Sequence, residues 1–127
     1  MGTLEKRQST RPSKVLEAFE NPNVGALYMV ECATREFTCL CPLTGQPDFA
    51  RISLRYVPGP RCVELKSFKL YLWSYRQEGI FYEAATNKIL DDLVISCSPR
   101  RMTVKGEFSV RGGICTVVTA DYSAARP

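Results

Sequence analysis

The chain contains no histidine. That absence removes the Ser-His-Asp and Cys-His nucleophile arrangements and every metal site built on imidazole, so any chemistry must run on Cys, Asp, Glu, Lys or Tyr. Long apolar runs are missing as well: nothing approaches the roughly 18 to 20 residues of a membrane span. The opening MGTLEKRQSTRPSK has no hydrophobic signal-peptide centre. The expectation is a cytoplasmic protein that does not enter a membrane. Neither G-x-G-x-x-G nor G-x-x-x-x-G-K-[ST] occurs, so a nucleotide would have to be held outside a Rossmann or P-loop setting. Charge of one sign is scarce too. Seventeen Lys and Arg stand against 13 Asp and Glu, a net +4, modest for a nucleic-acid binder yet compatible with a local phosphate patch. There is no internal repeat and no low-complexity segment.

What is present suits one globular domain. The 127 residues are 45% hydrophobic and 24% charged, enough to bury a real core and too few for two ordinary domains. Six cysteines, at 32, 39, 41, 62, 97 and 115, lack the dense spacing of a small secreted scaffold, so reduced thiols are the expectation. Residues 1–14 offer little to bury and read as a disordered tail, leaving 15–127 as the domain. ALYMVECA (26–33) reads as a first strand, followed by a long connection over 34–47. FARISLRYV (49–57) alternates, with Ala50, Ile52, Leu54 and Tyr56 on one face and Arg51, Ser53 and Arg55 on the other. From Ser67 the period changes: Phe68, Tyr71, Leu72 and Tyr75 mark one helix face, ended at Gly79. A second helix over 83–97 carries Ala85, Ile89, Leu93 and Cys97 on one stripe and stops at Pro99. MTVKGEFSV and ICTVVTADY, joined by RGG, close the chain as two strands. The order ββααββ predicts an α+β domain, a four-stranded antiparallel sheet with two helices on one face. Its open edges need covering, and ring formation with neighbouring copies is one solution.

The residues suited to chemistry cluster in two stretches. In CPLTGQPDF (41–49), Cys41 and Asp48 can meet if the Thr44-Gly45 turn folds the loop back. A buried, inert thiol is the commoner fate of a cysteine, but this one precedes a proline in a polar loop. Its thiol needs local help to be a thiolate at neutral pH. Cys32, Cys39, Cys41 and Cys62 could also be read as a zinc site, although C-x-C without a partner C-x-x-C or a histidine is a weak signal. In ELKSFKLYLWSYR (64–76), Lys66, Lys69, Trp73 and Arg76 share one helical stripe, either a solvated face or an anchor for phosphates. Glu83 opens the second helix, where it can complement the dipole or pair with a guanidine-like base edge through two hydrogen bonds. Arg100, Arg101, Lys105 and Arg111 add charge near the last strands.

Taken in order, CPLTGQPDF, ELKSFKLYLWSYR, GIFYE with ILDDL, and RGGI resemble the single-domain branch of the 7-cyano-7-deazaguanine reductases, nitrile reductases of queuosine biosynthesis, over residues 15–114. The resemblance implies the tunnelling fold, with subunits assembled as homo-oligomers into stacked rings that share sites between neighbours, acting on a free deazapurine without direct tRNA binding. It implies NADPH as hydride-donating co-substrate and no metal. Cys41 would be the nucleophile that forms a thioimide and Asp48 the general acid. Glu83, Tyr82, Glu64 and Ser67 would bind substrate, and Lys66, Lys69, Arg111 and Gly112 would bind the cofactor. One departure stands out: many members carry histidine where this chain has Tyr82, and a phenol donates a hydrogen bond but does not cycle protons near neutral pH. The competing expectations are a non-catalytic deazapurine- or RNA-binding homologue and an amidinotransferase using the same thioimide. A pterin-forming cyclohydrolase of the same fold would need a histidine ligand to zinc.

Overall fold

The structure, a computed structural model, describes residues 10 to 124. Its elements run β1 (Ala18–Glu20), β2 (Val30–Leu40), β3 (Pro47–Val57), β4 (Arg61–Val63), α1 (Leu65–Trp73), α2 (Tyr82–Cys97), β5 (Arg101–Arg111) and β6 (Ile114–Ser123). Four of the strands form one antiparallel sheet in the order β2-β3-β5-β6, and β1 pairs with β4 in a separate ribbon. The alternation read in 49–57 sets the faces. Ala50, Ile52, Leu54 and Tyr56 are buried, as are Met102, Val104 and Phe108 across the ladder, with Ala50 opposite Phe108 and Leu54 opposite Val104. Helix α2 lays Ala85, Ile89, Leu93 and Cys97, all fully buried, against that face. Each such aliphatic side chain contributes on the order of 1.5–3 kcal/mol by leaving water.

Helix α1 begins because Glu64 caps it: its carboxylate accepts the backbone N–H of Ser67 at 2.7 Å and of Lys66 at 3.0 Å. Those bonds satisfy two amides that a helix start otherwise leaves unpaired, and they hold the Glu64 carboxyl below its ordinary range. The helix ends at Trp73 with Ser74 as its C-cap, earlier than Gly79. Gly79 instead lies alongside Leu40, which donates to the Glu78 carbonyl (2.9 Å) and accepts from the Ile80 amide (3.0 Å). Helix α2 ends where expected, Ser98 taking a left-handed conformation (φ 50°) ahead of Pro99.

Two further expectations are corrected. Thr34–Leu40 is strand rather than connection: an extra residue between Thr34 and Phe37, set against the step from Ile52 to Ala50, makes a bulge that breaks the alternation. Residues 26–29 lie outside the strand, which begins at Val30. Before it, the buried Asn21 side chain donates to the Gly59 carbonyl (2.8 Å) and accepts from the Asn23 amide (2.9 Å) and the Tyr28 hydroxyl (2.6 Å), shaping a turn. The β1–β4 ribbon, three residues a side, is too short to show a period. Most of the expected N-terminal tail lies outside the described residues; its last members are held, Ser13 donating to the Leu70 carbonyl and Lys14 to Glu78 while lying over the Tyr75 ring.

Candidate active site

Leu40 pairs with Pro47, so residues 41–46 form a closed loop between β2 and β3. The loop is tied internally. The Cys41 amide donates to the Gln46 carbonyl and the Gly45 amide donates to the Cys41 carbonyl, both at 2.8 Å. Gly45 sits at φ 75°, a backbone conformation that a side chain disfavours. Thr44 Oγ1 accepts the Gln46 amide at 3.2 Å, which leaves its own hydroxyl proton to donate. That hydroxyl, with the amides of Thr44 and Leu43, lowers the Cys41 thiol pKa below the ordinary value, against a weaker opposing effect of burial and of Asp48. Cys39, two residues earlier and fully buried, shows the contrast: burial first, then the Asp48 charge, push its thiol up to about 11. Of the two cysteines, only Cys41 has its thiol shifted toward the thiolate.

Asp48 faces the interior at the start of β3 and is 4% exposed. Its Oδ1 accepts Arg111 Nη2 at 2.8 Å and the Tyr82 hydroxyl at 3.1 Å. The Tyr82 ring stacks on Phe108, centroids 4.0 Å apart and 14° from parallel. Burial, and then the bond to Asp48, raise the Tyr82 pKa, so at neutral pH it remains a hydrogen-bond donor. Glu83 follows in the first turn of α2, exposed, and among the described residues its carboxylate has no hydrogen-bond partner.

The remaining expected residues lie apart from this group. Glu64 and Ser67 are engaged at the start of α1, Ser67 Oγ accepting the Glu17 amide (2.9 Å) and donating to the Glu64 carbonyl (2.9 Å). Lys66 and Lys69 are exposed on the same helix. Lys69, Trp73 and Arg76 line a cleft of about 580 Å³ between α1 and β2. Cys41, Asp48, Tyr82 and Glu83 do not line it. Gly112 and Gly113, at φ 60° and 78°, make the two-residue turn between Arg111 and Ile114, the geometry that favours glycine in a hairpin. The residues that sequence reasoning missed are Thr44, seen only as a turn former, and Phe108, seen only as core. Among the described residues no group of three or more Cys, Asp or Glu is placed to hold a metal ion, and the six cysteines are free thiols.

The chain also has relatives among known proteins. A family model described as QueF-like protein matches residues 47–127. The chain is 61% identical to the NADPH-dependent 7-cyano-7-deazaguanine reductase of Anaeromyxobacter sp. (strain K), over 89% of this chain and 93% of that one. Against the enzyme of the same name from Thermomicrobium roseum the identity is also 61%, over 89% and 88%; against that from Nitrosomonas eutropha it is 58%, over 90% and 82%. Among solved structures, the archaeosine synthase QueF-Like in its apo form superposes with a TM-score of 0.70 at 25% identity, covering 78% of this chain and 96% of that one. The α+β architecture is the tunnelling fold, and the chain belongs to the QueF-like family, that of the NADPH-dependent 7-cyano-7-deazaguanine reductases.

Proposed function

We propose that the protein is an oxidoreductase that reduces the nitrile of 7-cyano-7-deazaguanine to the aminomethyl group, a step of queuosine biosynthesis, through a thioimide on Cys41. The observation that carries this reading is the thiol of lowered pKa on a loop that ends at a buried carboxyl group. The Cys41 thiolate adds to the nitrile carbon while the nitrogen gains a proton from Asp48, leaving a C=N double bond and a C–S bond. Because Asp48 Oδ1 already accepts Arg111 and Tyr82, the proton delivered would ride on Oδ2. Glu83, exposed beside this centre, suits the amino and ring N–H edge of the base, which a carboxylate can take through two hydrogen bonds. Tyr82 extends a flat, stacked surface from Phe108 and supplies a hydroxyl donor in the position of the family's histidine.

The exposed Lys66 and Lys69, with Trp73 and Arg76, fit a phosphorylated dinucleotide: cations for phosphate and an indole face for a ring. NADPH, when bound, would supply two hydrides, the first to the thioimide carbon and the second to the carbon of the imine left when the C–S bond breaks and Cys41 leaves as thiolate. Arg111 and Gly112 belong to the same expectation, although the Arg111 guanidinium is occupied by Asp48 in this structure. Glu64 and Ser67 would meet substrate only in addition to their capping bonds. The lysine stripe and the thiol lie on different parts of one subunit, and the main sheet leaves β2 and β6 as edges. Both features support a homo-oligomeric ring in which neighbours complete each site. Among the described residues no helix is long and apolar enough to cross a membrane, and a cytoplasmic enzyme acting on the free base, without binding tRNA, accords with this reading.

The test is anaerobic mixing with NADPH and 7-cyano-7-deazaguanine, following NADPH absorbance and the mass of the protein. Two NADPH consumed per nitrile, with both consumption and a covalent adduct abolished by Cys41→Ala, is the expected result. Substrate bound without adduct or NADPH loss would replace this reading with that of a non-catalytic binder.

A further inference from the structure

The Arg111 guanidinium touches three consecutive residues of the nucleophile loop and its exit. Nη1 donates to Gln46 Oε1 at 2.6 Å, and Nη2 donates to the Pro47 carbonyl at 2.8 Å and pairs with Asp48 Oδ1 at 2.8 Å. Gln46 in turn closes the loop, its carbonyl accepting the Cys41 amide and its own amide donating to Thr44. One cation therefore grips the far end of the turn whose near end is the thiol.

A second feature shows how the side chain comes to be there. Along β5, Met102, Val104, Gly106 and Phe108 step regularly along the face that packs on the helices. Beyond Phe108 the pairing slips: Phe108 is opposite Thr116 and Arg111 opposite Ile114, three residues against two. An extra residue turns the following side chains to the other face, which carries Arg111 onto the face that holds Asp48. The Gly112-Gly113 turn fixes the tip just beyond it.

We propose that Arg111 is a positioning residue for the covalent step, its guanidinium locking Gln46, Pro47 and Asp48 so that Cys41 and Asp48 keep their mutual placement. The inference rests on the reading that Cys41 and Asp48 carry that step. A planar fork with fixed donors suits three acceptors; a lysine ammonium, a point charge on a flexible stem, does not. Because the attack requires close alignment, a displacement of about 1 Å lowers the rate by up to about 100-fold.

The experiment compares intact protein, Arg111→Met, Arg111→Lys, Gln46→Ala and Cys41→Ala in formation of the covalent adduct with 7-cyano-7-deazaguanine without NADPH, then in steady-state turnover. Adduct formation should slow at least tenfold in R111M, less in Q46A, and recover in part in R111K, with kcat falling more than KM for NADPH rises. Gln46 is exposed, so Q46A keeps the test decisive if R111M does not fold. Unchanged adduct formation in R111M and Q46A overturns the inference. So does a defect confined to KM for NADPH, which would give Arg111 to the cofactor. An adduct that persists in Cys41→Ala would sink the underlying reading instead, whatever Arg111 does.

Discussion

At the scale of single residues, the lowered pKa of the Cys41 thiol comes from donors on Thr44 and Leu43 rather than from a neighbouring base. Cys39 and Cys41 are two residues apart in sequence and shifted in opposite directions, one by burial and one by the donors of Leu43 and Thr44. Hydrogen bonds to the charged form favour it. The pH midpoint of Cys41 alkylation should therefore lie below that of an ordinary thiol. Thr44→Val removes the hydroxyl donor and should move the midpoint up, with slower alkylation at neutral pH, while Thr44→Ser should return it most of the way. Measuring iodoacetamide reaction rates against pH decides this; a T44V profile superimposed on that of the unsubstituted protein would rule out the hydroxyl as a contributor. Tyr82 follows the same economy. It presents a donor to Asp48 and a ring to Phe108.

At the scale of elements, the close approach of α2 to the sheet ties packing to the site. Gly106 lies where a Cβ would meet Phe108 Cε1 at 2.8 Å and Thr86 Oγ1 at 3.0 Å. Phe108 carries the Tyr82 ring, and Thr86 donates to the Tyr82 carbonyl at 2.9 Å. Gly106→Ala should thus lower stability by about 1–3 kcal/mol, as overpacking does, and slow adduct formation in the folded protein at the same time. Thermal unfolding and adduct kinetics on one preparation check the coupling; a stability loss with an unchanged adduct rate would show the stack to be dispensable. Much of this architecture was legible in the sequence because periods report faces: Ala85, Ile89, Leu93 and Cys97 named the buried stripe of α2, and the alternation of 49–57 named the inner face of β3. The bulges were not legible, since one inserted residue leaves composition unchanged while inverting which side chains face inward. Across the first bulge the inward parity passes from Cys32 to Phe37 and Cys39. Across the second, Arg111 reaches Asp48. Motif resemblance named Cys41, Asp48 and Glu83, but it gave no sign that Thr44 lowers the Cys41 pKa.

At the scale of the whole molecule, the sheet leaves two open edges, and the exposed apolar side chains Ile114 and Val117 both lie on the β6 edge. A sheet edge with apolar side chains invites pairing with another chain, and charge placed there opposes it. The thiol centre and the Lys69–Trp73–Arg76 cleft are separate within one subunit, so a ring that joins β6 of one copy to β2 of the next offers a way to bring such parts together. The paired substitution Ile114→Lys with Val117→Lys adds charge at exposed positions without removing core, so the subunit should keep its fold. Light scattering should then report a mass near the 14.3 kDa of one chain, against a multiple of it for the unsubstituted protein. Cys41 alkylation, which needs only the local loop, should persist, whereas NADPH-dependent reduction, if the proposed ring completes each site, should fall at least tenfold. A substituted protein that is monomeric and fully active would show that one subunit contains the entire site, and that the lysine stripe on α1 is a solvated face rather than the neighbour's contribution to the cofactor.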